Sequence, residues 1–420
     1  SGRDLKAWSA KWLEESGINT IATEVEENAD GTIASLTLNQ TAPAEHPVLR
    51  PHRLAVGFYD EDPATGKIVR TDRFELDVDG ESTVVAAAAG KKRPAFILVN
   101  DDDLTYTKLR FDADSLSFAL ANLQRFDDAL ARAVVWLSLW DMTRDGDLAA
   151  EKFIDTTLAL LATETESTTF RYALSCMSTT AWHYTAPDRR ADVVKHIAKE
   201  LWKLVIAAPG GSDQQFQLVT AYLGYGEEGD AEFAEHAQGL FDGSLIVAGL
   251  EIDNNFTWTI INALSSVKLI DQAGIDAQLA KRDTTENREF ALGAHAVRGD
   301  AAAKEWAWNE ALNNADLTNM QLEAVARGFG ATPRPDLAEP YAAKYYDVVD
   351  WVWKNKSFHM AEALLEGLYP YYADPATLVE LGHRWLTDHE DADNALKRIV
   401  RGNVESSQRT LKVRDFNAAL

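Results

Sequence analysis

Two periodicities divide this chain. From about Ile18 to Asp112 apolar residues alternate with polar ones; beyond that they recur at helical spacing to the last residue. The triplets Ala34, Leu36, Leu38, then Leu54, Val56, Phe58, then Phe74, Leu76, Val78 each place alternate side chains on one face, which predicts strands half-covered by a core. Asp30-Gly31, Asp62-Pro63 with Gly66, and Asp79-Gly80 supply the turns between them. Phe96 to Val99 is apolar throughout and predicts a strand covered on both faces. Residues 42–52 carry Pro43, Pro47 and Pro51 and read as a loop or edge. Short strands at this spacing predict a small antiparallel β-sandwich.

Downstream, apolar helices begin near Arg132, Arg171, Gln217, Asn255, Phe290, Met320 and His359. Second helices lie between them; in 190–206, Val193, Ile197, Leu201 and Val205 form one stripe. Helix pairs recurring at roughly 40 residues predict an α-solenoid of the armadillo or HEAT kind, with a concave face suited to binding. The predicted fold class is therefore α+β, multidomain and mainly α. Ahead of the strands, Leu5, Trp8, Trp12 and Leu13 form a single apolar stripe on a short helix over residues 4–17, with Gly17 as its stop. A face of this size needs a partner. Either it lies on the β unit, or it is the last helix of a preceding domain outside this sequence, and the second is the reading adopted. The expected domains are 1–17 (that helix), 18–112 (β-sandwich) and 113–420 (helical).

Hydrophobic content of 46% and charged content of 25% are those of an ordinary globular protein. The net charge of -25 repels nucleic acid and anionic membrane, so neither is an expected partner. No apolar run has the length of a membrane span, and the charged first residues do not read as a signal peptide. One cysteine, Cys176, excludes an internal disulfide and fits the cytoplasm; its apolar helical setting reads as a buried structural thiol.

Catalytic motifs are absent. A zinc hydrolase of the H-E-x-x-H type needs two histidines one helical turn apart with a glutamate as base, and His389-Glu390 is followed by Asp393 where the second histidine belongs. No catalytic residue and no metal ligand is expected in this chain. Asp101-Asp102-Asp103 has the carboxylates to suit calcium but reads as a solvated turn after a buried strand. In Trp140-Asp141-Met142-Thr143-Arg144-Asp145-Gly146, Gly146 suits a left-handed helix cap. Asp141, Arg144 and Asp145 form either an ion-pair network fixing that turn or a ligand-facing cluster, and the structural reading is adopted. The paired tryptophans Trp306/Trp308 and Trp351/Trp353 read as packing between helices.

The segments LVNDDDLTYTKLRFDADSL and ALARAVVWLSLWDMTRDGDL, with AAAKEWAWNEALNN, LTNMQLEAVARGF, LAEPYAAKYYDVV and LKRIVRGNVESSQRTLKVRD, resemble the bacterial aminopeptidase N family of zinc metallopeptidases. SGRDLKAWSAKWLEESGINTI is similar to the segment that closes that family's catalytic domain. The resemblance covers nearly the whole chain and implies a C-terminal region without the zinc domain. It would bind no cofactor of its own, zinc belonging to the full-length enzyme. Its partners would be peptides and the missing N-terminal and catalytic domains. Its helical domain would cap the active site and shape peptide access. Gly402 and Val404 depart from a charged E-x-R-D pattern of the family. Arg398, Arg401, Arg409 and Arg414 remain nearby, either meeting a peptide carboxylate or forming a solvated or internally paired helix face. The competing class is a free-standing solenoid adaptor that binds a peptide or protein.

Overall fold

The computed structural model describes residues 5–420. The chain divides into two compact units, residues 1–177 and 178–420.

The first unit opens with two sheets. Its strands are β1 (Thr20–Glu27), β2 (Ile33–Thr41), β3 (His52–Glu61), β4 (Ile68–Val78), β5 (Ser82–Val84), β6 (Phe96–Val99) and β7 (Lys108–Arg110). One sheet has the order β5-β2-β1-β7 and the other β4-β3-β6. Neighbours are antiparallel except β1 and β7, which run parallel. The inner faces meet expectation at Leu36, Leu38, Leu54, Val56 and Phe58. They depart from it at Ala34, which is exposed, while Ile33 is buried. The register between β1 and β2 shifts at Glu26/Glu27, and the bulge inserts one residue that turns Ala34 outward. On β4, Phe74 and Leu76 are only half-buried, because this strand lies at the sheet edge. β3 is buried on both faces from Leu54 to Tyr59, as a central strand is.

Asp101 corrects the expectation of a solvated turn: it is 1% exposed. It accepts from Tyr59 Oη at 2.6 Å and Arg70 Nη1 at 2.7 Å, while Asp102 accepts from Arg70 and Arg73 at 2.8 Å each. Asn100, Asp102 and Asp103 have positive φ, in keeping with the tolerance of these residue types for left-handed backbone. Tyr59 and Arg70 satisfy the Asp101 carboxylate, which is why this residue is buried, while Asp102 is half-buried and Asp103 exposed.

At the N-terminal helix, Trp12 donates from Nε1 to Pro51 O at 3.2 Å and meets the His52 ring edge-on at 5.2 Å. Arg50 donates to the carbonyls of Lys11, Glu15 and Ser16 at 2.9, 2.7 and 3.0 Å, satisfying orphan acceptors of the helix end. Trp12 therefore rests on the β layers, while Leu5, Trp8 and Leu13 stay exposed.

The second unit pairs its helices. Arg190–Ala207 packs with Asp213–Leu223, Ala231–Asp242 with Asn254–Ser266, Gln272–Lys281 with Thr285–Ala296, Ala301–Asn313 with Asn319–Gly330, Ala342–Asn355 with Phe358–Gly367, and Pro375–Asp388 with Asn394–Ala418. The later members of successive pairs also touch one another, forming a continuous layer. Close approach within it depends on Gly328: a Cβ there would stand 2.7 Å from Gly293 O and 2.8 Å from Ala296 Cβ. Lys304, almost fully buried, donates to Ala296 O at 2.7 Å and to Gly328 O and Phe329 O at 3.2 Å, tying two helix ends with one ammonium. Trp308 is buried as expected; Trp351 is exposed, with Lys356 Nζ 5.8 Å from its ring, so it does not pack between helices. The last helix returns to the start of the unit, where Arg414 Nε donates to His183 O at 2.7 Å and Asn417 Nδ2 to Tyr184 O at 3.3 Å.

Candidate functional site

The four arginines singled out in the sequence share the helix Asn394–Ala418 but not one location. Arg398 is exposed, with its guanidinium 3.9 Å from Glu362. Arg401 is exposed and Arg409 half-buried. Arg414 is half-buried and held against His183. In the segment that departs from the family's charged pattern, Asn403 is buried instead. It accepts from Tyr371 Oη at 2.9 Å and donates to Tyr345 Oη at 3.0 Å, so a neutral amide ties the last helix to the helix Ala342–Asn355 and to the turn at Tyr371.

Around Arg414 the structure gathers residues that no sequence motif linked. The His183 ring stacks on Tyr372 with centroids 4.9 Å apart and meets Tyr371 edge-on at 6.3 Å. Burial, then the charges of Arg414 and Arg190, pushes the His183 imidazole down to about 4, so it is neutral at pH 7. Burial and the neighbouring Arg190 push the Arg414 guanidinium down to about 10. Arg190 is itself held below the usual arginine range by burial, against the attraction of Tyr372 and Glu227. The charge of Arg190 thus adds to the burial that depresses Arg414, and positive groups lie close together here.

Two adjoining cavities lie in this unit. One, of about 390 Å³, is lined by Trp182, Thr220, Asn262, Ala331 and Tyr372; the other, of about 350 Å³, by Ala191, Glu227 and Arg334. They share Trp182, Gly226, Ser266 and Pro333. The Asn262 carbonyl oxygen is buried without a hydrogen-bond partner, an acceptor open to a peptide N–H.

The turn cluster lies in the first unit. Asp145 accepts from Lys108 Nζ and Arg110 Nη2, each at 2.6 Å, and Asp147 from Arg110 Nε at 2.9 Å. Burial pushes Asp145 up, but these cations outweigh it and hold its carboxyl below the usual range. Asp141 stands 4.0 Å from Arg144, and burial raises it. Gly146, at φ 73°, caps the helix Ala129–Asp145 in the left-handed conformation. The Cys176 thiol is buried, and burial pushes it up to about 12. His389 bonds Asp350 at 2.9 Å and stacks on Trp385 at 4.5 Å. Among the described residues no group of three or more His, Cys, Asp or Glu is placed to hold a metal ion, so these side chains do not fit a zinc site. Nor, among them, is any helix long and apolar enough to cross a membrane.

The sequence reading reached Arg414 but not Arg190, His183, Asn262 or Tyr372. Arg190 sits in an ordinary D-R-R-A-D stretch far from Arg414 in sequence, and only the return of the last helix brings their surroundings together.

Comparison with known proteins gives two matches. The family described as the ERAP1-like C-terminal domain matches residues 96–409. Aminopeptidase N of Streptomyces lividans is 35% identical over 425 residues, covering 100% of this chain and 49% of that protein. The chain thus spans about half the length of the curated relative it matches.

Proposed function

From the premise that this chain belongs to the family of ERAP1-like C-terminal domains, we propose that it is the non-catalytic C-terminal region of a zinc-dependent aminopeptidase N. The observation that carries this reading is identity of 35% along the whole chain to half of an aminopeptidase N. In this proposal the other half holds the zinc and removes N-terminal residues from peptides. The described residues offer no ligand set for the metal, and no step of the hydrolysis is derived from them. The helical unit covers the active site and shapes peptide access, its cavities and inward arginines meeting the body of the substrate. The candidates for that contact are Arg398, Arg401, Arg409 and Arg414, of which Arg398 and Arg401 are exposed and Arg409 and Arg414 half-buried. The exposed face of Leu5, Trp8 and Leu13 is where the preceding catalytic domain packs. The proposed compartment is the cytoplasm, which suits a chain with a single cysteine.

The purified chain, supplied with zinc and an aminoacyl-anilide, is expected to release no aniline. Turnover abolished by a chelator would overturn the proposal, because it would require a metal centre within these residues.

A further inference from the structure

Lys304 stands in the helix Ala301–Asn313 and is 2% exposed. Its Nζ donates to Ala296 O at 2.7 Å, to Gly328 O and Phe329 O at 3.2 Å each, and to Thr332 Oγ1. The Thr332 hydroxyl hydrogen is committed to Val297 O at 2.8 Å, so its oxygen can only accept. Four oxygens therefore surround one nitrogen, and none of them offers it a hydrogen. A neutral amine would turn its lone pair on one of these oxygens; an ammonium would not. Burial pushes the group down to about 7, and the cage of acceptors opposes that push.

No carboxylate closes on this charge. Asp300 attracts it, but it caps the helix by accepting from Ala303 N at 2.9 Å and pairs with Arg298 at 2.9 Å. The ammonium is balanced instead by the negative ends of two helices, Thr285–Ala296 and Asn319–Gly330, whose last-turn carbonyls form three sides of the cage. Carbonyl oxygens arranged in this way replace the hydration shell of a large monovalent cation. The spacing is too wide for magnesium or calcium, which sit about 2.0–2.6 Å from their oxygens and draw on carboxylates.

We propose that the cage of Ala296 O, Gly328 O, Phe329 O and Thr332 Oγ1 is a monovalent-cation site of potassium size, which this chain fills with its own Lys304 ammonium. The joint between the two helix ends needs a positive charge at that point, not the side chain that delivers it. Tethering the charge makes the joint independent of the salt around the protein, because no free ion has to be captured.

The test removes the tether from the full chain and supplies the ion. A small cavity of about 10 Å³, lined by Lys304, Phe329, Thr332 and Tyr372 among others, adjoins the cage, so shortening the side chain leaves room for a cation. Lys304→Ala in sodium chloride is expected to lower the thermal midpoint. Potassium or ammonium chloride at equal ionic strength is expected to recover most of the loss, with potassium bound about tenfold more tightly than sodium, the equivalent of about 1.4 kcal/mol. The unchanged chain should melt at one temperature in all three salts. Lys304→Met, which fills the space without a charge, should lose stability and recover none of it. If Lys304→Ala does not fold in sodium, the yield of folded protein on dilution into potassium against sodium replaces the midpoint, and a higher yield in potassium supports the site. Equal behaviour of Lys304→Ala in sodium and potassium, whether folded in both or in neither, would overturn the proposal, and so would equal recovery of Lys304→Met.

Discussion

At the scale of single residues, Asp101 shows how an acidic run can be read wrongly. Three successive aspartates suggest water, yet the first is buried because Tyr59 and Arg70 satisfy it. Gly57 makes room for it: a Cβ at that position would stand 2.6 Å from Asp101 Oδ2 and 2.8 Å from the Tyr59 ring. Gly57→Ala is therefore expected to destabilise the first unit by about 1–3 kcal/mol through overpacking. A thermal melt followed by circular dichroism measures this, and an unchanged midpoint would mean that the carboxylate moves aside at no cost. Cys176 was readable from its neighbours, because an apolar helical context buries a small thiol whatever the fold.

At the scale of elements, Gly146 ends a helix as the sequence suggested, but the acidic residues beside it have partners the sequence did not name. Asp145 reaches Lys108 and Arg110 on β7. Their spacing of more than thirty residues carries no local signal. Asp145→Asn is expected to cost about 1.5–3 kcal/mol, the range for hydrogen bonds to charged groups. The pH dependence has a definite sign. Asp145 is depressed in the folded state, so its contribution is complete above the unfolded value of 3.8 and is lost as pH falls through the lower folded value. Acid titration followed by tryptophan emission should show a shallower loss of stability below that pH in Asp145→Asn than in the unchanged chain. Parallel curves would show that the cations do not depress this carboxyl. The bulge at Ala34 is a second lesson at this scale. Alternation was visible, but one inserted residue reverses it, and an insertion is set by how two strands pair.

At the scale of the molecule, hydrophobic periodicity gave the mainly helical architecture and the small two-sheet region ahead of it. It did not give the return of the last helix to His183 and Tyr184, which depends on the angle accumulated over many helix pairs. Deleting residues 411–420 removes the buried Val413 together with Arg414 and Asn417. The expected loss is about 2–4 kcal/mol from one buried apolar side chain and its hydrogen bonds. Hydrogen exchange should quicken at Trp182–Tyr184; unaltered protection there would show that the start of the unit holds without its last helix.

What the sequence determined by itself was whatever short-range physics controls: which stretches alternate, which repeat at helical spacing, where glycine and aspartate end an element, and that one cysteine in an apolar run is buried. It also carried the family resemblance, which depends on the order of residues and not on their positions in space. Only the tertiary structure decided that Asp101 is covered, that Asp145 faces Lys108 and Arg110, and that Lys304 is enclosed by oxygens from two helix ends. These are relations between residues distant along the chain. Burial and charge act through space, so they are fixed only once packing has brought those residues together.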